Sequence, residues 1–269
     1  MRKIGLDEIK SLSFEGLLYF RDFLERNNLR YYLAWGTLLG AVRHEGFIPW
    51  DDDIDIWMPR KDYNILLSKI KEFENDDWTI IHNSINHKYI LAWAKIVHKK
   101  TKCLPAMVAT GYSIGLSLDI FPLDYIDISL DLAQKDVQEK VSPYFKHLEQ
   151  FHPSIVDKNA SFMKRWIHYL FFYWKNCIDK PYHEILAEYD NLFVMNSDLS
   201  QSAIDYISTG MVVLNRKWFG NATELMFENE FFKAPVDADR VLTALYGDYN
   251  TLPPVEERIT HHLYDTFLI

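Results

Sequence analysis

Four aspartates fall within residues 51–55, and their type and spacing suit metal-assisted chemistry. The alternation Asp53-Ile54-Asp55-Ile56 predicts a β-strand, in which every second side chain shares a face. Both carboxylates then point one way, while Ile54 and Ile56 enter the core. Two carboxylates this close repel each other unless a cation lies between them. Oxygen ligands favour Mg²⁺ or Mn²⁺, and Mg²⁺ keeps positions open for substrate phosphates, which suits phosphoryl transfer.

Two other interpretations of this stretch are a solvated acidic loop and a calcium-binding loop. The alternation of Asp with Ile argues against a solvated loop. Asp51, Asp53 and Asp55 match the first three ligand positions of an EF-hand, but Ile56 stands where that loop requires glycine. Asp62 stands where the bidentate Glu should be. A metal site for phosphoryl transfer is therefore the favoured interpretation.

A Gly36-Thr37 pair follows a β-prone segment, residues 30–34, and opens a predicted helix that Thr37 would cap. Backbone N–H groups at such a turn can hold a phosphate, and glycine permits close approach. This arrangement, with an acidic pair beginning 17 residues later (53 − 36), resembles the nucleotidyltransferase (polymerase β-like) superfamily. The resemblance implies a third carboxylate on a later strand, with Asp119 the first choice and Asp124 the second.

Longer motifs resemble one family of that superfamily, the LicD family. They are LLGAVRH (38–44), GFIPWDDDIDI (46–56), LDIFPLD (118–124), and a tail of LYGDY (245–249), LPP (252–254), Arg258 and His261-His262. The matches run from residue 31 to residue 262, although 130–200 carries little recognisable signal. The block over 35–56 is long and specific, whereas the tail alone is weak.

The resemblance implies transfer of a phospho-alcohol from CDP-choline or a CDP-alditol to a sugar hydroxyl of a cell-surface glycan, such as lipopolysaccharide or teichoic acid, with release of CMP. It implies that Asp53 and Asp55 bind Mg²⁺ (or Mn²⁺), and that Asp119 completes the metal site or accepts the hydroxyl proton. Asp119 could instead cap a turn at a strand end. Two other functions stay open: a nucleotidyltransferase that moves NMP from an NTP to a small molecule, and a scaffold that has lost the chemistry.

Five further residues are predicted to bind the donor: Gly36, Thr37, Arg43, His44 and Lys95. Arg43 and His44 end the short helix beside the acidic loop, where a cation would neutralise charge on the departing CMP. Arg43 could instead form an ion pair with an Asp of the cluster. Lys95 is a lone charge in an apolar stretch, so it is either a phosphate ligand or an edge-strand lysine that faces solvent.

The elements that must position these residues alternate between helix and strand. Helical periodicity covers 7–27, 37–44, 60–74, most of 129–195 and about 237–246, and β-prone segments cover 30–34, 53–58, 78–82, 88–98 and 112–121. This order predicts one α+β domain over 1–269. It comprises a nucleotidyltransferase-like (polymerase β-like) mixed sheet with flanking helices over about 28–125, and a helical elaboration over about 129–195.

Composition sets outer limits on function. The chain has 269 residues, 48% of them hydrophobic, which supports a substantial core and excludes a disordered chain. Two cysteines exclude a disulfide scaffold and a Cys-based zinc finger. A net charge of −9 disfavours a nucleic-acid partner. The first residues lack the apolar run of a signal peptide, so a cytoplasmic setting is expected.

One apolar segment, FMKRWIHYLFFYWKNCI at 162–178, tests that expectation. Lys164, Arg165, His168 and Lys175 interrupt it, and it is shorter than the roughly 20 apolar residues that cross a bilayer. A buried helix is the first interpretation. The second is an interfacial helix whose cations reach the lipid headgroups, which would place the protein at the inner face of a membrane, near a lipid-linked glycan.

Overall fold

Seven α-helices and twelve β-strands lie in the part of the chain that the computed structural model describes, residues 1–87, 89, 91–104, 114–126, 161–178, 182–194, 205–208, 212–260 and 265–269. The helices are α1 (Leu6–Arg26), α2 (Trp35–His44), α3 (Arg60–Ser68), α4 (Ile70–Phe73), α5 (Phe162–Ile178), α6 (Tyr182–Val194) and α7 (Ala238–Tyr246). The strands are β1 (Arg2–Lys3), β2 (Tyr32–Leu33), β3 (Asp55–Pro59), β4 (Trp78–Ile81), β5 (Ala94–His98), β6 (Thr101–Leu104), β7 (Ser117–Ile126), β8 (Asp205–Ser208), β9 (Val213–Leu214), β10 (Thr223–Phe227), β11 (Glu230–Ala234) and β12 (Asp265–Leu268).

The main sheet is mixed and has β7 at its centre. Its strands follow the order β2-β3-β7-β5-β4, and β8 and β9 extend it from the far half of β7. β3 and β7 are parallel, whereas the other pairs are antiparallel. This arrangement confirms the predicted α+β class with a mixed sheet. Two smaller sheets, β1-β12-β6 and the hairpin β10-β11, lie outside it.

Helix α1 packs its apolar stripe against α4 and β4. Phe20 and Phe23 meet the ring of Phe73 edge-on, with centroids 5.9 and 5.2 Å apart. Gly16 lies under Trp78, and a Cβ at that glycine would come within 2.7 Å of the indole ring. The helix matches the prediction over 7–27, because the repeat of apolar residues every three to four positions decides both the helix and its buried face.

The boundaries near the acidic stretch differ from prediction. The strand predicted over 53–58 begins only at Asp55, so Asp53 lies in the irregular segment before β3. Ile54 and Ile56 are fully buried, as the alternation indicates. A single alternating strand is thus wrong for Asp53, because β2 pairs only with Ile56 and Trp57 and gives no ladder to the preceding residues.

A buried ion-pair network joins α3, β7 and α6. Arg60, at the start of α3, donates to both oxygens of Asp124 on β7 and to Asp190 on α6. Arg60 is 1% exposed and Asp124 is 2% exposed. The Arg60 guanidinium lies 5.4 Å from the centre of the Tyr63 ring, and the Tyr63 hydroxyl accepts from the backbone N–H of Ala94 at 2.8 Å. The network therefore fixes α3 and α6 onto the central strand.

The predicted helical region over 129–195 is described in part. Helices α5 and α6 lie within it, whereas residues 127–160 and 179–181 lie outside the described part. No helix among the described residues is long and apolar enough to cross a membrane. Side chains of α5 are exposed at eight apolar positions, so the interpretation of this segment as a buried helix is wrong.

Candidate active site

Asp55 and Asp119 face each other on neighbouring strands at the centre of the main sheet. β3 and β7 run parallel with Asp55 in register with Asp119, and the backbone N–H of Asp119 donates to Ile54 O at 2.8 Å. Their side chains therefore leave the sheet on one face, since register partners share a side. The structure thus brings together Asp55 and Asp119, the two strand-borne members of the three carboxylates that the sequence singled out.

Asp51 and Asp53 add two more carboxylates beside this pair. Burial, the charge of Asp53 and a hydrogen bond with Asp53 raise the pKa of Asp51 to about 7. Burial, followed by the charges of Asp53 and Asp119, raises the pKa of Asp55 well above its usual range, and Lys95 opposes this. Burial and the neighbouring acids therefore both disfavour the charged forms of Asp51 and Asp55.

The donor set suits a hard divalent cation. No three His, Cys, Asp or Glu side chains of the described residues already converge into a metal-binding group. Mg²⁺, however, is commonly held by one or two carboxylates together with substrate phosphates. Asp53 and Asp55 offer two such carboxylates, and a cation bound between them would relieve their mutual electrostatic repulsion. The residues present therefore fit this metal.

The Gly36-Thr37 turn differs from prediction in how it acts. Helix α2 begins at Trp35 after Ala34, so Thr37 lies within the first turn and is not the N-cap. The Thr37 hydroxyl accepts a hydrogen bond from the backbone N–H of Asp55 at 2.8 Å, which ties α2 to the start of β3. A Cβ at Gly36 would come within 2.8 Å of the Asp51 carboxylate, so the glycine leaves room for that acid.

Lys95 lies on β5 directly beside Asp119. β5 is flanked by β4 and β7, and Lys95 is buried and ion-paired with Asp119, so an edge-strand lysine that faces solvent is wrong. The indole N–H of Trp93 donates to the same oxygen, Asp119 Oδ1, at 3.0 Å. Within the described residues, nothing donates to the other oxygen, Oδ2. Asp119 is thus held by two donors on one oxygen and does not cap a turn.

Arg43 and His44 lie at the end of α2, as predicted. Arg43 donates to the carbonyl of Tyr249 at 2.8 Å and to the ring of His44 at 3.0 Å, so the alternative of an ion pair with an acid of the cluster is wrong. Burial and the charge of Arg258 lower the pKa of Arg43. Burial, followed by the charge of Arg43, lowers the pKa of His44.

The C-terminal segment closes over the acidic loop. Thr260 donates to Asp52 at 2.9 Å, and the Arg258 guanidinium lies 5.5 Å from the centre of the Trp50 ring. Burial, with the charges of Asp55 and Asp51, raises the pKa of Tyr246, which places this tyrosine beside the carboxylates. The LYGDY and Arg258 motifs signalled this segment, whereas nothing in the sequence pointed to the contact of Thr260 with Asp52 or of Trp93 with Asp119.

Two further sequence assignments have different outcomes. Asp124, the second choice for the third carboxylate, belongs to the Arg60 network, where both its oxygens accept from the guanidinium. Asp119 is therefore the better choice. His261 and His262, named with the tail, lie outside the described residues.

A comparison with known families matches residues 28–123, which run from β2 through most of β7. All four carboxylates discussed above, Asp51, Asp53, Asp55 and Asp119, lie within this range. The matching family is described as "LicD/FKTN/FKRP, nucleotidyltransferase domain". Residues 28–123 are therefore similar to the LicD family. The carboxylates Asp53, Asp55 and Asp119 all fall inside this matched range, whereas Arg258 and Tyr246 lie outside it.

Individual relatives agree with this family match. The chain is 28% identical to the lipopolysaccharide cholinephosphotransferase LicD of Haemophilus influenzae, over 288 aligned residues that cover 100% of both chains. It is 37% identical over 86 residues to an uncharacterised protein of Rickettsia typhi, covering 32% of this chain and 28% of that protein. It is 50% identical over 38 residues to the human ribitol 5-phosphate transferase FKRP, covering 14% of this chain and 8% of FKRP.

Proposed function

We propose that the protein is a metal-dependent transferase that moves phosphocholine, or a related phospho-alcohol, from a CDP-activated donor to a sugar hydroxyl of a cell-surface glycan and releases CMP. The observation that carries this proposal is the in-register pair Asp55 and Asp119, with Asp53 beside it, inside the range that is similar to the LicD family. Clustered carboxylates that can hold a divalent cation suit the transfer of a phosphoryl group, because neutralising charge supplies much of such catalysis.

The relatives support a particular class of donor. Similarity over the full length to a cholinephosphotransferase favours phosphocholine as the group transferred. The shorter similarity to a ribitol 5-phosphate transferase favours the wider class of phospho-alcohols, with CDP-alditols as the other donors. The names of both relatives contain a phosphate-linked alcohol, so the proposed site must bind the phosphate in either case, and the alcohol determines which donor it prefers.

The proposed reaction is a displacement at the phosphorus that carries the alcohol. The acceptor hydroxyl oxygen bonds to that phosphorus, the bond from phosphorus to the bridging oxygen breaks, and the electron pair leaves with CMP. Asp53 and Asp55 would hold Mg²⁺ or Mn²⁺, which when bound neutralises the charge of the donor pyrophosphate. Asp119 either adds a third ligand or takes the hydroxyl proton on Oδ2, the oxygen to which no described residue donates.

Basic side chains around the acidic loop supply the opposite charge. Arg43 and Arg258 influence each other electrostatically, and neither forms an ion pair with a carboxylate of the described residues. Two guanidinium groups without a carboxylate partner suit an anion, so we assign them to the donor phosphates and the departing CMP. Lys95 is engaged by Asp119, and its proposed part is therefore to position that carboxylate.

A donor screen tests the proposal. Purified protein is incubated with Mg²⁺ and CDP-choline, CDP-ribitol, CDP-glycerol or CTP, and the release of CMP and pyrophosphate is measured. The proposal predicts release of CMP from at least one CDP-alcohol, and its loss in both Asp53→Asn and Asp55→Asn. Full activity in both variants would contradict the proposed site.

A second candidate function is transfer of NMP from an NTP to a small molecule. It is favoured by the description of the matched family, which names a nucleotidyltransferase domain. It uses the same carboxylates, so the product decides between the two. Release of pyrophosphate from an NTP, without CMP from any CDP-alcohol, would favour this second function.

A further inference from the structure

Helix α5 presents a broad apolar surface to solvent. Eight large apolar side chains of this 17-residue helix are exposed, among them Phe162 at 77%, Trp174 at 58% and Trp166 at 50%. Among the side chains of α5 that the structure describes, the exposed apolar ones are Phe162, Met163, Trp166, Ile167, Leu170, Phe171, Tyr173 and Trp174. Monomeric proteins rarely expose a contiguous apolar surface of this extent unless it binds something.

The eight positions share one side of the helix. Successive residues of an α-helix are rotated by about 100°, which places these eight positions within about half of the circumference. A seam between two helices uses a narrower stripe, about two positions in seven. The width of this surface therefore fits a flat apolar medium better than a second helix.

The charges of the segment complement an anionic surface. It contains Lys164, Arg165 and Lys175 and no Asp or Glu, in a chain whose net charge is −9. Tryptophan and tyrosine favour the boundary between water and lipid, and Trp166, Tyr173 and Trp174 all belong to the exposed set. A basic, aromatic and amphipathic helix of this kind is typical of segments that lie in the plane of a membrane surface.

We propose that α5 docks the protein onto a bilayer that contains anionic phospholipids, with the helix lying in the interface. A helix of 17 residues is about 26 Å long, shorter than the hydrocarbon core, and its cations fall near both ends. The exposed face is buried among headgroups and the first acyl carbons, while Lys164 remains at the headgroup level. This inference stands independently of the proposed transferase activity.

Vesicle sedimentation tests the proposal on the full chain. The protein is mixed with vesicles of phosphatidylcholine alone, or with vesicles of phosphatidylcholine that contain about 30% phosphatidylglycerol as the anionic lipid. We expect sedimentation with the mixed vesicles and at least about a fivefold loss in the variant Trp166→Gln/Trp174→Gln, since buried apolar area drives such binding. The matched control is Phe231→Gln/Val255→Gln, two exposed apolar residues outside α5, which should sediment like the natural chain.

A charge variant and a solution measurement complete the test. Lys164→Glu should weaken binding to the mixed vesicles, whereas Lys71→Glu, an exposed lysine on α4, should not. Circular dichroism checks that each variant folds. Absence of binding to both kinds of vesicle, or equal binding by the α5 variant and its control, would overturn the proposal. So would a dimer of the natural chain in analytical ultracentrifugation that the α5 variant abolishes, because a second copy would then cover this face.

Discussion

Asp119 differs from the neighbouring carboxylates because it already has two donors. Lys95 and the Trp93 indole both act on Oδ1, which orients the carboxylate and leaves Oδ2 for another task. The charge of Asp53 instead raises the pKa of both Asp51 and Asp55. The site thus contains one carboxylate, Asp119, that is paired with Lys95, and a group of three carboxylates that suits a bound divalent cation.

Substitution of Asp119 distinguishes its two proposed roles. If Asp119 takes the hydroxyl proton, Asp119→Asn should lower turnover by about 10²-fold or more while the affinity for Mn²⁺ stays unchanged. If it is a ligand, the affinity for Mn²⁺ should fall with the activity. Electron paramagnetic resonance titration of Mn²⁺ measures that affinity without turnover, and Asp124→Asn is unsuitable as a control because it breaks the Arg60 network.

His82 should make stability depend on pH. Its ring is 2% exposed, Nε2 has no hydrogen-bond partner, and burial lowers its pKa to about 4, with Asp190 opposing and Arg60 assisting. At pH values between the folded pKa of about 4 and the unfolded pKa of about 6.5, the unfolded chain binds a proton at this histidine that the folded chain does not. Stability is therefore fully present above pH 6.5 and falls as the pH drops, by about 3 kcal/mol in all.

Urea unfolding at several pH values between 7 and 4 measures this dependence. Carboxylates titrate in the same range, so the comparison that matters is between the natural chain and His82→Asn. The variant should lose less stability over the range. Parallel curves for the two proteins would mean that His82 does not carry the effect.

Some residues of the candidate site could be predicted from the sequence, whereas several of their contacts could not. The strand position of Asp55 was predictable from its alternation with buried apolar residues, and that of Asp119 from the resemblance to a known family. Trp93 and Thr260 were not, since their contacts with Asp119 and Asp52 join residues 26 and 208 positions apart. The surroundings of Lys95 were ambiguous because only the strand order separates a central strand from an edge.

Among the elements, α3, β7 and α6 depend on one buried guanidinium. Arg60→Gln would leave Asp124 buried without its cation, which should destabilise the fold by about 3–5 kcal/mol. The matched control is Arg30→Gln, because the Arg30 side chain is 56% exposed in its ion pair with Asp62, and such pairs contribute less than about 1 kcal/mol. Thermal or urea unfolding measures the stability of both variants. Equal losses of unfolding free energy would contradict the claim that burial makes the Arg60 pair the more important one.

Element boundaries were less predictable than the elements themselves. Periodicity indicated α1 and α7 well, because their apolar stripes face the core. It placed the start of β3 two residues early and the start of α2 two residues late, since strand pairing and the Thr37–Asp55 hydrogen bond decide those ends. The helix predicted over 60–74 is interrupted between Ser68 and Ile70.

For the whole molecule, the alternating order of helices and strands predicted an α+β fold, but the order of strands in the sheet was not readable. The parallel pairing of β3 with β7 joins Asp55 and Asp119 across 64 residues (119 − 55) and creates the site. The C-terminal segment then returns to the acidic loop through Thr260 and Arg258. The site therefore depends on segments from both halves of the chain.

The central claim is that the phosphorus carrying the alcohol is the atom attacked. CDP-choline incubated with the protein and Mg²⁺ in H₂¹⁸O, with water as the acceptor, tests it directly, because the phosphorus that is attacked acquires the ¹⁸O. The account predicts ¹⁸O in phosphocholine and none in CMP, with turnover lost in Asp55→Asn while circular dichroism stays unchanged. Incorporation of ¹⁸O into CMP, conversion of an NTP to pyrophosphate without cleavage of CDP-choline, or equal turnover by Asp55→Asn would contradict it.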